Sequence, residues 1–96
     1  MPYEDWLTGR LKNPGEAAAY IEAVITQGDQ AAVMLALRQV AQAQGGVAEI
    51  ARKANLTREA TYKMLSKTGN PELRSLNAVL AATGLRLAVT PIKRAA

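Results

Sequence analysis

The stretch VAEIARKANLTREATYKML, Val47–Leu65, decides the fold of this chain. Its apolar residues follow the period of two short helices, and Ala51 lies where two steeply crossing helices leave room for little more than a methyl group. Asn55 comes four residues later, and Asn tolerates the left-handed backbone that a sharp helix exit demands. Thr57 can then cap the second helix. This order of residue types predicts a helix-turn-helix.

The second helix of the pair is predicted to read DNA. Thr61, Met64 and Leu65 face the core, while charged and aromatic residues share the opposite face. Arg and Lys can donate to guanine, Glu can accept from the cytosine amino group, and Tyr can pack on bases. The predicted DNA-binding residues are Arg58, Glu59, Tyr62 and Lys63, Ser66 and Lys67 in the following polar loop, and Thr57 at the helix start. The alternative is an ordinary solvated amphipathic helix.

Composition argues against several classes of protein. The 96 residues contain no Cys and no His, which excludes disulfides, thiol nucleophiles and imidazole catalysis. The carboxylates are scattered, so we expect no enzyme, no metal site and no cofactor. No segment approaches the roughly 18 consecutive apolar residues of a membrane span, and MPYEDWL does not look like a secretory signal. We therefore expect a cytoplasmic protein of one domain.

The charge is unevenly distributed along the chain. Residues 1–30 hold five acids and two bases, a net charge of −3, whereas residues 31–96 hold ten bases and three acids, a net charge of +7. Six of those ten cations lie between Arg52 and Arg74. The positive charge of residues 31–96 favours a polyanionic partner, and the negative charge of residues 1–30 favours a basic protein partner.

Cap and glycine signals divide the remaining chain into helices. Asn13-Pro14 starts a helix that Gly28 ends, and Asp29 starts another that runs to Gln44 before a glycine pair. Asn70-Pro71-Glu72 is predicted to start the last helix, with Leu73, Leu76 and Leu80 facing the core and Gly84 at its end. Residues 1–12 show no clear period, and Trp6 is interpreted as a core anchor, with an exposed partner contact as the alternative. The chain is thus predicted to be all-α, with about five helices.

The segment that follows the last helix alternates as a strand does. Leu85, Leu87 and Val89 are separated by single residues, and Thr90-Pro91 closes the pattern. Because the chain offers this strand no partner, we predict that it pairs with the same strand of a second copy, which makes 85–90 a dimerisation strand. A loosely packed tail is the alternative.

Taken whole, the chain resembles the probable addiction-module antidote proteins, the HigA-type antitoxins with an Xre-like helix-turn-helix. The likeness rests on GG followed by the helix-turn-helix, on LTREATYKMLSKTGNP and on GLRL, and it extends over nearly the whole chain. Thr61 departs from the family, which usually has a bulky apolar residue there. We expect this Thr to weaken packing and to leave a hydroxyl to satisfy.

The resemblance implies a type II toxin–antitoxin system and an Xre/lambda-repressor-like domain with a short C-terminal β-strand. Such an antitoxin blocks a small basic RNase toxin of the RelE/HigB kind and represses its own promoter as a homodimer on a palindromic operator. Residues 1–28 would then contact the toxin, residues 29–84 would form the DNA-binding core, and residues 1–96 would be one domain. The residues alone leave open a stand-alone transcriptional regulator, without a toxin partner, and a pure protein-interaction module.

Overall fold

The structure, a computed structural model, describes residues 3–92, and within them the chain has six α-helices and no strand. The helices are α1 (Tyr3–Leu11), α2 (Pro14–Gln27), α3 (Gln30–Ala43), α4 (Val47–Lys53), α5 (Arg58–Met64) and α6 (Leu73–Ala82). Helices α1, α2 and α4 pack against α3, and α4 also contacts α5 and α6. All six helices contribute buried side chains to one core. The prediction of an all-α chain is confirmed.

The boundaries of α2 and α3 are those that the cap residues predict. The Asn13 side chain accepts a hydrogen bond from the Glu16 backbone N–H at 3.1 Å, which satisfies one of the free donors of the first turn. Gly28 ends α2 in the left-handed region, at φ 80°. Asp29 then caps α3 through the Ala31 N–H at 3.0 Å. These local signals place both helices against each other as an antiparallel pair joined by a short turn.

Helix α1 is a sixth helix that periodicity did not predict. Only Leu7 and Leu11 are buried in it, one turn apart, so the apolar stripe is too sparse to stand out from the sequence. Glu4 and Asp5 in its first turn and Arg10 in its last are favourably placed for the helix dipole. The helix is held mainly by packing on α2 and α3.

The start of α6 differs from the prediction. The helix begins at Leu73, with Glu72 at the cap position and no side-chain cap bond, so Asn70 and Pro71 lie outside it. Leu73 is 64% exposed and does not face the core. Leu76 and Leu80 contact the core as predicted, and Val79 is buried beside them. The helical period puts Leu73, Leu76 and Leu80 on one side, but Leu73 is the first residue of the helix and the core does not extend to it.

The strand predicted at residues 85–90 is not seen in the single chain. No helix or strand is formed between residues 85 and 92. Leu85 packs partly against the core, whereas Leu87 is 45% exposed and Val89 is 99% exposed. A strand requires hydrogen-bonding partners along its length, and the described residues offer it none. The predicted single domain also includes residues 1–2 and 93–96, which lie outside the described part.

Candidate nucleic-acid interface

Helices α4 and α5 are joined by the tight turn that the sequence predicts. Ala51 is 1% exposed at the centre of the pair. Asn55 adopts φ 58°, the left-handed conformation, and the Leu56 N–H donates to the Ala51 carbonyl at 2.9 Å. Thr57 caps α5 by accepting from the Ala60 N–H at 3.1 Å. Small residue, left-handed exit, inward Leu and capped helix thus follow each other in the predicted order.

Helix α5 has one buried face and one exposed face. Thr61 is fully buried and Met64 nearly so, while Arg58, Glu59, Tyr62 and Lys63 are exposed, as predicted. The Thr61 hydroxyl donates to the Thr57 carbonyl at 2.8 Å. The hydroxyl that Thr61 leaves to satisfy therefore has its acceptor in the preceding turn of the same helix.

The exposed face of α5 is partly ordered before any ligand arrives. The Arg58 guanidinium lies over the Tyr62 ring, 6.0 Å from its centroid, at a spacing of one helical turn. Tyr62 is 42% exposed, so its ring and hydroxyl remain accessible to a ligand. This stacking directs a long cationic side chain along the helix surface, which lowers the entropy lost when it donates to a base or phosphate.

The loop after α5 holds Ser66 and Lys67 in a compact turn. The Ser66 hydroxyl donates to the Lys63 carbonyl at 2.7 Å, so its proton is engaged and the oxygen faces a ligand only as an acceptor while this bond stands. The Gly69 N–H donates to the Ser66 carbonyl at 2.9 Å, and Gln30 donates from α3 to the Gly69 carbonyl at 3.3 Å. Of the two predicted phosphate contacts in this loop, Lys67 is the one with free donors.

The cations of α4, α5 and the loop after α5 differ in whether a carboxylate of the chain pairs with them. Arg52 is paired with Glu49 through two hydrogen bonds, the longer being 3.0 Å, and the hydrogen bond from Arg52 lowers the pKa of the Glu49 carboxyl. Arg58, Lys63 and Lys67 are exposed and form no ion pair with any described carboxylate. The α5 face and the loop after it therefore present positive charge that the chain itself does not neutralise.

Arg38 is a cation near this surface that the sequence patterns did not indicate. It lies on α3 and lines the same cavity as Leu65 and Lys67, at the end of α5. Arg38 and Lys67 are 29 positions apart in the sequence and lie in different elements. Neither helical periodicity nor motif spacing could therefore connect them. A single Arg in an otherwise uncharged helix was the only available signal.

A second exposed surface lies on α1. Trp6 is 48% exposed, so its interpretation as a core anchor is wrong. The Arg10 guanidinium lies 5.0 Å from the Trp6 ring centroid. The Tyr3 ring centroid, on the same helix, lies 5.8 Å from that of Trp6. Arg10 also pairs with Glu16 at 2.5 Å. The result is an aromatic and charged patch at the acidic end of the chain.

Residues 3–92 lack two further kinds of feature. No group of carboxylates there is arranged to hold a metal ion. None of the helices in this range is both long and apolar enough to span a bilayer.

Comparison with known proteins confirms the antidote family that the sequence resembles, and it does not test the HigA type or the Xre-like helix-turn-helix. The family model described as "Probable addiction module antidote protein" matches residues 6–91. A protein of Haemophilus influenzae, described only as uncharacterized, is 32% identical over 79 residues, which cover 82% of this chain and 80% of the relative. No solved structure matches the chain significantly. The match extends from α1 to the segment beyond α6, and the chain therefore belongs to the family of probable addiction module antidote proteins.

Proposed function

We propose that this chain is a cytoplasmic, HigA-type antitoxin of a type II toxin–antitoxin module. It neutralises a small basic RNase toxin of the RelE/HigB kind, and it binds a palindromic operator as a dimer to repress its own promoter. Membership in the antidote family supports the antitoxin role. The observation that carries DNA binding is the exposed Arg58–Glu59–Tyr62–Lys63 face on a capped helix that follows a tight left-handed turn.

In this proposal α4 and α5 act as an Xre-like helix-turn-helix, with α5 in the major groove. Arg58 and Lys63 donate to base edges, Glu59 accepts from a cytosine amino group, and Tyr62 packs beside them. Thr57, at the start of α5, and Lys67, beyond its end, contact phosphates on either side of the groove. Two copies read two half-sites about one helical turn of DNA, roughly 34 Å, apart.

Two substitutions separate base recognition from phosphate binding. Arg58→Ala should cost about 1–3 kcal/mol of operator binding and relax base preference at one position of each half-site. Lys67→Ala should weaken operator and unrelated duplexes about equally, with a smaller salt dependence. The measurement is fluorescence anisotropy on DNA from upstream of the gene, with every base pair of the site varied. Unchanged operator affinity in the Arg58 variant would mean that α5 does not face the DNA as proposed.

We assign toxin binding to α1 and α2, within residues 1–28. Glu4, Asp5 and Glu22 are exposed there, and the net charge of this region is complementary to a basic partner. The half-exposed Trp6 provides the large aromatic surface that protein interfaces favour as an anchor. Because this surface lies on helices that precede the DNA-reading pair, toxin and operator can bind different parts of the same chain.

Co-purification tests the antitoxin role. The untagged chain is expressed with the tagged product of the adjacent small reading frame, and we expect joint elution together with rescue of growth. Trp6→Ala should weaken this complex at least tenfold, whereas Tyr62→Ala, an aromatic exposed to a similar degree on α5, should leave it intact. No partner, together with salt-dependent binding to upstream DNA, would contradict the antitoxin proposal and identify a stand-alone regulator.

The dimer is assigned to the segment that contains Leu85, Leu87 and Val89. Leu87 and Val89 expose apolar surface that the single chain leaves uncovered. Pairing of this segment with its copy would satisfy its backbone groups and bury those side chains together. A two-fold axis through that pairing would relate the two α5 helices by the same symmetry that relates the half-sites of a palindromic operator.

A further inference from the structure

A cavity of about 340 Å³ separates the N-terminal half of α3 from the end of α5. Arg38 and Lys67 supply its cations, and Leu35 and Leu65 supply much of its apolar wall. Lys67 immediately follows the loop residue Ser66, so this cavity lies at the end of the proposed reading helix. Apolar walls lower the local dielectric and strengthen the attraction of both cations for an anion.

Arg38 has no partner of its own in the described part of the chain. Its Nε atom is buried without a hydrogen-bond acceptor, and its guanidinium forms no ion pair with residues 3–92. A guanidinium stays charged at all physiological pH values, so this side chain cannot avoid the penalty by losing a proton. Burying a charged donor without an acceptor destabilises a fold. An anion from outside the chain would satisfy it.

Asp29 is the carboxylate that lines the same cavity, and it does not neutralise Arg38. Its Oδ1 accepts the hydrogen bond from the Ala31 N–H that caps α3. Leaving that position would uncap the helix, which costs about 1 kcal/mol. Two cations therefore face one carboxylate that is already engaged, and the cavity retains a net positive charge.

We propose that Arg38 and Lys67 together bind one backbone phosphate of duplex DNA, next to the groove that α5 occupies. This inference rests on the proposed DNA binding and adds a contact from α3, outside the helix pair. The planar guanidinium suits two phosphate oxygens at once, and the ammonium of Lys67, in the loop after α5, adds a second charge. The contact positions α5 along the duplex and carries no base specificity.

The test compares Arg38→Gln with the native chain on upstream DNA and on an unrelated duplex, across a range of salt. Because Lys67 still contacts the shared phosphate, we expect the slope of log K against log salt to fall by up to about one for each bound copy, and affinity at 0.1 M salt to fall by up to about eightfold, on both duplexes. Lys12→Gln is the control, since it removes an exposed cation at the α1–α2 turn, and it should leave the slope unchanged. Arg38→Lys keeps the charge and should retain the slope.

The midpoint of thermal unfolding separates phosphate binding from a purely structural role of Arg38, because the loss of a stabilising residue would lower this midpoint. Arg38→Gln removes a half-buried cation whose buried Nε has no acceptor, so its midpoint should equal or exceed that of the native chain. Because one phosphate is shared, the Arg38→Gln/Lys67→Gln double variant should lose less affinity than the two single losses added together. A lower midpoint with an unchanged salt slope would overturn the inference.

The outcomes also distinguish this inference from the function on which it rests. If Lys67→Gln weakens DNA binding and Arg38→Gln does not, the phosphate site is wrong while DNA binding stands. If the native chain binds neither duplex, DNA binding itself is wrong and the phosphate site with it.

Discussion

Gly69 is the position where the loop after α5 admits no side chain at all. A Cβ atom built there lies 1.9 Å from the Met64 carbonyl oxygen, 2.8 Å from its carbon and 3.0 Å from the Ser66 oxygen. These distances are to backbone atoms, which a rotamer change cannot move aside. Gly69→Ala therefore forces the loop away from the end of α5, by more than 1 Å if an ordinary contact distance is to be restored.

The expected loss of stability can be built from the contacts of this loop. Forcing a methyl group into a closely packed site costs about 1–3 kcal/mol. Moving Gly69 also breaks two hydrogen bonds, its N–H to Ser66 and its carbonyl to Gln30, each worth about 0.5–1.5 kcal/mol. We expect Gly69→Ala to lower the free energy of unfolding by about 2–6 kcal/mol, a large share of the stability of a small domain.

Urea unfolding followed by circular dichroism measures this change, and Gly9→Ala is the matched control. Nothing lies within 4 Å of a Cβ atom at Gly9, which is inside α1, so Ala there should stabilise the chain by about 0.5–1 kcal/mol. A loss of stability at Gly69 and a gain at Gly9 for the same Gly→Ala change would show that the close backbone contact at Gly69 is the cause. A Gly69→Ala variant within about 0.5 kcal/mol of the native chain would refute the packing of this loop.

Three further changes probe the turn, a surface ion pair and the dimer. Asn55→Ala should lower the free energy of unfolding by about 1 kcal/mol, because Ala tolerates the left-handed φ of 58° less well than Asn does. Asn55→Gly should be neutral or stabilising, because Gly adopts this conformation without strain. Equal effects of both variants would contradict the left-handed turn. Because the pKa of Glu49 is lowered, its pair with Arg52 stabilises the fold at pH values above the ordinary Glu range. This stabilisation is lost as pH falls through the lowered pKa. In Arg52→Gln the pKa of Glu49 measured by NMR titration should therefore rise. Leu87→Pro should shift the dimer towards monomer in sedimentation, and an unchanged mass would count against pairing through 85–90.

The sequence predicted those parts of the fold whose causes lie within a few residues. Asn13 and Asp29 cap their helices through side chains that reach backbone donors two or three positions away. Asn55 and Gly28 mark left-handed stops at the positions they occupy. The facing of α5 follows in the same way, because one cap residue and a period of 3.6 residues decide which side chains point outward.

Only the tertiary structure decided what depends on contacts between distant segments. Helix α1 exists because Leu7 and Leu11 meet α2 and α3, and no short window of sequence contains that contact. The exposure of Trp6, the facing of Leu73 and the meeting of Arg38 with Lys67 likewise depend on how whole helices pack. Local hydrogen bonds and backbone preferences act over one turn of chain, whereas burial is a property of the assembled core, and it therefore becomes known only when the helices are brought together.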